Sequence, residues 1–317
     1  MTLHPIPVII DTDPGIDDAM AILLAGKSPA IDLVGLTTIF GNVDVQRATR
    51  NALHLGDLLG QPIPVATGAA RPLVQTPEPH ADFVHGAEGF GDTPLPQPTR
   101  QAEPLDAVDF IIQESHKHDG KLVLCPIGPL TNIALALRKD PTLVERIAEV
   151  VIMGGAVRWR GNVNEFAEAN IWNDPHAAAE VFAADWPVRL VGLDVTEQLS
   201  IWPHDFEPVK SGAPKLGAWI AQAHEFYFDF HLDWYKERKA YLHDPTAILA
   251  ITNPEYFEFH EALVEVVLGG EAKGQTREID PDQAEEAANS GEILFAASVD
   301  ITAATRHMLA ACAAFDD

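Results

Sequence analysis

The chain is expected to fold as an α/β protein, a single domain over residues 1–317 with an open, mostly parallel β-sheet and helices on both faces. Three observations predict this. Short β-branched runs alternate with helical stretches, which is the rhythm of βαβ units. The runs are continuously apolar rather than alternating, as strands buried on both faces must be. Finally, 317 residues that are 47% hydrophobic and 21% charged can fill a large core, and no internal repeat or linker divides them.

The apolar runs are Ile6–Ile10, Leu33–Ile39, Ile63–Thr67, Lys121–Ile127, Val150–Met153 and Val188–Leu193. Helical patterns fall between them at Asp17–Ala25, Val45–Leu59, Leu105–His116, Leu130–Arg138 and Pro175–Ala184. Two segments break the rhythm, Gly68–Pro104 and Ala156–Asn173. Irregular segments of this length in a compact domain are usually functional or disordered, and both carry clustered polar residues after predicted strands, so we read them as functional loops. Loops of that kind converge beyond the carboxyl ends of a parallel sheet, where ligands bind. Ala213–Lys239 is an aromatic-rich helical stretch; most of its rings are expected in the core and one or two over a site.

Charge narrows the partners. Lys and Arg number 21 against 47 Asp and Glu, a net −26, which repels a phosphate backbone and an anionic lipid surface. Neither nucleic acid nor a membrane is an expected partner, and neutral or cationic substrates are favoured. The two cysteines, Cys125 and Cys312, fit neither a disulfide framework nor a thiolate zinc site. Met1–Ile10 lacks the basic start and cleavage site of a signal peptide, and no run reaches the roughly 18 apolar residues of a membrane helix. These features predict a cytoplasmic protein.

The informative segment follows the first strand. Asp11, Asp13, Asp17 and Asp18 fall within eight residues around the turn formers Pro14 and Gly15. Asp17 and Asp18 belong to the first turn of the next helix, whose positive end favours them. It cannot hold all four, because close carboxylates raise one another's pKa. Any two of the four are explained by capping and turn roles; all four together mean either that some are protonated or that a cation sits among them, and a hard ion with oxygen ligands, Ca²⁺ or Mg²⁺ rather than Zn²⁺, is the natural answer. The spacing is not that of an EF-hand loop.

Two resemblances follow from these residues. A strand followed by Asp-x-Asp resembles the start of haloacid-dehalogenase-like phosphatases, with Asp11 as nucleophile and Asp13 as acid, but Pro14-Gly15 departs from that pattern and the net charge suits a phosphomonoester poorly. Asp11-Thr12-Asp13-Pro14-Gly15-Ile16-Asp17-Asp18 closely resembles the signature of the inosine-uridine preferring nucleoside hydrolases. Further stretches match in the family's order: Gly41-Asn42, His85-Gly86, Pro126 to Asn132, Gly161-Asn162, Ala167-Glu168-Ala169-Asn170 and His243-Asp244-Pro245, with a weaker echo from Lys273 to Thr276.

This resemblance implies hydrolysis of the N-glycosidic bond of ribonucleosides to base and ribose. It implies Ca²⁺ held by Asp13, Asp18, Asp244 and the Ile127 carbonyl. Asp17, Asn162, Glu168 and Asn170 would bind the ribose hydroxyls, with Asn42 and His85 nearby, Asp11 supporting the cluster and His243 assisting departure of the base. It also implies a homodimer or homotetramer. Ile127, Ala169 and Lys273 depart from the family's usual Thr, aromatic and Arg. On this reading the ion grips the 2′,3′-diol and a water beneath the anomeric carbon, Asp13 is the general base, and inversion at C1′ follows. A binding protein on the same fold without turnover is the remaining reading. His243-Asp244-Pro245 also reads as a helix start with Asp244 as cap. Trp234 and Tyr241 are weak candidates for contact with the base.

Overall fold

Val8, Ile9 and Ile10 are all shut off from solvent, Val8 and Ile10 facing one apolar layer and Ile9 the other. A strand apolar on both faces belongs in the middle of a covered sheet, and it lies there. The computed structural model describes residues 4–91, 93–280, 282 and 289–316; the first three residues of the N-terminal segment discussed above lie outside them. The chain begins with β1 (Ile6–Thr12), α1 (Ile16–Lys27), β2 (Ile31–Thr38), α2 (Val45–Leu59), β3 (Val65–Thr67) and the single-turn α3 (Asp82–His85). It continues through α4 (Ala107–Ser115), β4 (Leu122–Pro126), α5 (Thr131–Lys139), β5 (Ile147–Met153), the short α6 (Ala169–Asn173), α7 (Pro175–Phe182) and β6 (Val188–Val191). Then come α8 (Leu193–Thr196), β7 (Ser200–Ile201), α9 (Phe206–Gly212), α10 (Leu216–Tyr235), β8 (Ala240–Tyr241) and α11 (His243–Thr252). The chain closes with β9 (Phe257–Val266), β10 (Thr276–Glu278), β11 (Ser290–Val299) and α12 (Ile301–Ala313).

Nine strands form one sheet in the order β10-β9-β11-β6-β5-β4-β1-β2-β3. From β11 to β3 every neighbour is parallel, while β9 and β10 extend the sheet antiparallel at one edge. All six predicted strands are present, which gives the expected α/β fold. The sixth is shorter than expected: it ends at Val191, because Gly192 and Leu193 open α8. Neither predicted long loop is wholly irregular; α3 lies in the first and α6 in the second. The antiparallel edge and α12 were not anticipated.

β1 sits between β4 and β2, so the chain leaves the middle of the sheet in both directions. α1, which follows β1, packs Met20 and Leu23 into one apolar layer, whereas α5, which follows β4, packs Ile133 and Ala134 into the other. Helices departing to opposite faces leave a crevice between the strand ends, the usual ligand position in such sheets. The crevice is tied across by the Ile127 N–H, which donates to the Asp11 carbonyl at 2.8 Å, and by the Ile39 N–H, which donates to the Thr12 carbonyl at 3.0 Å.

Candidate active site

The carboxylates gather at that crevice. Asp13 follows the end of β1, and its Oδ2 accepts the Asn42 backbone N–H at 2.6 Å. Two glycines let the backbone close on it: a methyl group at Gly41 would stand 2.0 Å from Asp13 Oδ2, and one at Gly128 would stand 2.5 Å from Oδ1. Asp18 accepts hydrogen bonds from Thr12 Oγ1 at 2.5 Å, the Gly15 N–H at 2.9 Å and Asn42 Nδ2 at 3.1 Å. Asp244 lies in the first turn of α11, a helix that starts at His243 after Leu242 and has no side-chain cap. The capping role read from the sequence for Asp244 is therefore corrected: the helix begins at His243, two residues earlier than a cap at Asp244 would start it, leaving this carboxylate for the cluster. Asp17, Asp18 and Asp244 each present an oxygen within 4.8 Å of the others.

These four groups are nearly inaccessible, at 2%, 5%, 0% and 3% for Asp13, Asp17, Asp18 and Asp244. Burial and then the charges of Asp18 and Asp17 push Asp13 well above the usual carboxylate range. Asp17 is pushed up to about 8 by burial and then by Asp18, and Asp244 rises by burial and then by Asp17, Asp18 and Asp13. Asp18 is also raised by burial, although the Thr12 hydroxyl and the Gly15 N–H oppose it. Among the described residues no Lys or Arg forms an ion pair with any of the four. His85 Nδ1 is 3.9 Å from Asp17 Oδ1 but already accepts the Ile16 N–H at 3.2 Å, and burial pushes that imidazole down to about 3. Asp13 Oδ1 and Asp17 Oδ1 are buried with no hydrogen-bond partner among the described residues. Crowded all-oxygen donors without a neutralising side chain suit a hard divalent cation. Asp11 lies behind them, its Oδ1 accepting Thr37 Oγ1 at 2.5 Å and Asn132 Nδ2 at 2.7 Å, its carboxyl raised by burial to about 7.

Above the cluster opens a cavity of about 240 Å³. Its polar wall comprises Asp17, Asn42, Ile127, Asn162, Glu168, Asn170 and Asp244. Asn170 Nδ2 donates to the Ile127 carbonyl at 2.9 Å and to the Met153 carbonyl at 3.1 Å, binding the ends of β4 and β5 together. Glu168 caps α6: Oε1 accepts the Asn170 N–H at 2.9 Å, and Oε2 accepts the N–H groups of Gly155 at 2.9 Å and Ile171 at 3.2 Å. Burial nevertheless raises its carboxyl to about 7. Asn162 Oδ1 accepts the Ala169 N–H at 3.0 Å.

The opposite wall is aromatic, formed by Phe83, His85, Tyr227, Phe230, His231, Trp234, Tyr235 and His243. His243 Nδ1 is 2.8 Å from Thr196 Oγ1, and burial pushes the ring down to about 3. Every residue proposed from the sequence thus lies on the cavity, in the cluster beneath it, or, for Asp11, one layer behind. Of the two weak base-contact candidates, Trp234 lines the cavity while Tyr241 stands behind, packed edge-on to His231 and Tyr235. Sequence reasoning gave no role to Thr12 or Asn132 within their motifs, took Tyr227, Phe230 and Tyr235 only as members of an aromatic group, and missed His231. The signal for these α10 residues was present: positions 227, 230, 231, 234 and 235 follow the helical three-and-four spacing.

The model of the inosine-uridine preferring nucleoside hydrolases matches residues 8–305. The chain belongs to this family. It is 41% identical over 270 residues to uridine nucleosidase 1 of Arabidopsis thaliana, covering 85% of this chain and 80% of that one. A solved plant nucleoside hydrolase superposes with a TM-score of 0.93 at 37% identity, covering 98% of this chain and all of the other. A purine-preferring ribonucleoside hydrolase from Gardnerella vaginalis gives 0.91 at 33%, covering 98% and 99%. This nucleoside hydrolase therefore hydrolyses ribonucleosides, and the phosphatase and binding-only readings are set aside. The relatives' names point to different bases, so preference must be sought in the cavity wall.

Proposed function

We propose that this nucleoside hydrolase works with Ca²⁺ held by Asp13, Asp18, Asp244 and the Ile127 carbonyl, with Asp17 beside it, and with Asp13 as general base. The observation that carries the reading is the meeting of the buried carboxylates of Asp17, Asp18 and Asp244, with Asp13 close enough to feel the charges of Asp18 and Asp17, where Asp13 Oδ1 and Asp17 Oδ1 have no partner among the described residues. Such an ion, when bound, neutralises the cluster, attracts the vicinal hydroxyls of a ribose and acidifies a water.

The chain supplies the rest. Asn42 holds one oxygen of Asp13 in place, leaving Oδ1 to accept the proton of the attacking water. Asp17, Asn162, Glu168 and Asn170 on the polar wall meet the ribose hydroxyls; Glu168 keeps lone pairs beyond its backbone bonds for this. The surrounding carboxylates favour the positive charge that grows on the sugar as the base departs. Direct attack by water gives inversion at C1′. Burial keeps His243 neutral, and in the tautomer in which Nδ1 accepts the Thr196 hydroxyl, Nε2 carries the proton and assists the leaving base through an imidazole N–H.

The test is a panel of uridine, inosine and p-nitrophenyl phosphate, assayed for reducing sugar and for phosphate. Sugar release from the nucleosides should vanish with chelator and return with Ca²⁺, and phosphate release without sugar would overturn the reading. By the same family likeness we read the chain as a cytoplasmic homodimer or homotetramer, which sedimentation of the purified protein checks. Among the described residues no helix is long and apolar enough to cross a membrane.

A further inference from the structure

We propose that His231 selects lactam nucleobases, those with a ring N–H beside a carbonyl, by accepting that N–H at its Nε2. The inference rests on reading the aromatic half of the cavity as the place of the base.

Two backbone contacts fix which hydrogen bonds the histidines of this wall can make. His231 Nδ1 lies 2.8 Å from the carbonyl of Tyr227, one turn earlier on α10. A carbonyl only accepts, so Nδ1 carries the ring proton and Nε2 is left as a lone-pair acceptor. His85 has the opposite assignment: its Nδ1 accepts the Ile16 N–H, so its Nε2 carries the proton and can only donate. Both rings line the cavity, and neither Nε2 is sealed inside the protein or engaged by another protein group among the described residues. The wall therefore presents one fixed acceptor and one fixed donor.

The ring of His231 is also held in orientation. It meets Tyr227 edge-on at 4.4 Å between centroids, stacks with Tyr235 at 5.3 Å, and is flanked by Phe230 at 5.1 Å and Tyr241 at 5.3 Å. Turning the imidazole over would forfeit the Tyr227 bond. Burial pushes its pKa down to about 4, which keeps it an acceptor at neutral pH. A base edge with N–H next to C=O, as in uracil or hypoxanthine, complements this acceptor and donor. Cytosine and adenine carry a lone pair at the corresponding ring nitrogen, which would face the lone pair of His231. A polar site left unpaired discriminates more strongly than a change in apolar contact.

The experiment measures kcat/KM on the Ca²⁺-loaded full chain for uridine, 3-methyluridine, inosine and 1-methylinosine. The parent should prefer each unmethylated nucleoside by roughly tenfold or more, the loss expected for one hydrogen bond to a buried acceptor. His231→Phe keeps a ring and removes the acceptor; it should lower the uridine and inosine values several-fold more than those of the methylated pair, so that the preference for the unmethylated nucleosides shrinks. His231→Gln, which restores an acceptor oxygen, should recover part of the preference. A merely structural or steric role for His231 predicts an equal fall on methylated and unmethylated substrates, which overturns the inference, as does a parent that treats the two alike. If only one of the uridine and inosine arms shows the effect, the lactam is selected within that base class. The parent comparison needs no variant, so a misfolded mutant does not shield the inference. Hydrolysis of none of the four would remove the functional reading, and this inference with it.

Discussion

Asp13 has one oxygen fixed and one free, at the edge of the cluster. The Asn42 N–H holds Oδ2, whereas Oδ1 is buried and unpartnered, so the side chain is oriented without being used up. Asp13→Ala should reduce kcat by about three orders of magnitude, the scale of a lost general base with its local electrostatics, while nucleoside binding survives in part. Steady-state kinetics beside equilibrium binding separates the two; unchanged turnover would exclude the base role. The sugar can be tested at the same scale. A 2′-deoxynucleoside lacks one of the vicinal hydroxyls and should lose both rate and binding, roughly a hundredfold in kcat/KM if the contact strengthens in the transition state. Equal values for inosine and 2′-deoxyinosine would contradict recognition through the diol.

The elements that carry these groups are held by buried polar side chains whose loss should cost stability as well as rate. Asn132, fully buried at the start of α5, donates to Asp11 Oδ1 at 2.7 Å and to the Thr38 carbonyl at 3.0 Å, and its Oδ1 accepts the Ala69 N–H at 2.9 Å. One side chain thus joins the ends of β1 and β2 to the loop after β3. Asn132→Ala leaves those partners unpaired out of water and should destabilise the fold by about 3 kcal/mol, measurable by denaturant unfolding. Its role was not legible in the sequence, because all three partners are distant along the chain. The acidic cluster was legible because four carboxylates crowd one turn, and the parallel strands because their apolar runs are continuous. β9 was not: in Phe-Glu-Phe-His-Glu-Ala-Leu-Val-Glu-Val the charges fall near an exposed edge, which gives neither a continuous run nor a clean alternation. The α10 aromatics were seen as a group. Which of them face the cavity depends on how the helix is rotated against α3 and the strand ends, a property of packing that spacing alone leaves open.

At the scale of the molecule, the buried acids set how stability responds to pH and to metal. Burial raises Asp11 to about 7, and burial with neighbouring charge raises Asp17 to about 8, with Asp13 and Asp244 also well above the value near 3.8 that each has in an unfolded chain. Between pH 4 and pH 8 these acids therefore make the metal-free native state hold more protons than the unfolded state, while His85, His224, His231 and His243, pushed down to about 3 or 4 by burial, act in the opposite sense only below their unfolded value of 6.5. The acids' contribution to the unfolding free energy must then fall as pH rises across that window, absent below about 4 and, for Asp11 and Asp17, complete near pH 8. A bound divalent cation favours the charged carboxylates, lowers their native pKa values and removes this dependence; it also binds more tightly as protons leave, adding stability through mass action. The Tm of the chelated protein should accordingly drop by roughly 5 °C between pH 5 and pH 8, the shift expected for a loss of a few kcal/mol in a chain of this length. The Ca²⁺-loaded protein should change less, so the gap between the two should widen with pH. Thermal unfolding of both forms at pH 5, 6.5 and 8 measures that gap directly, and comparing them at each pH cancels the general repulsion of a chain with net charge −26. A gap that stays constant or narrows toward pH 8 would mean that the cation does not sit among these aspartates.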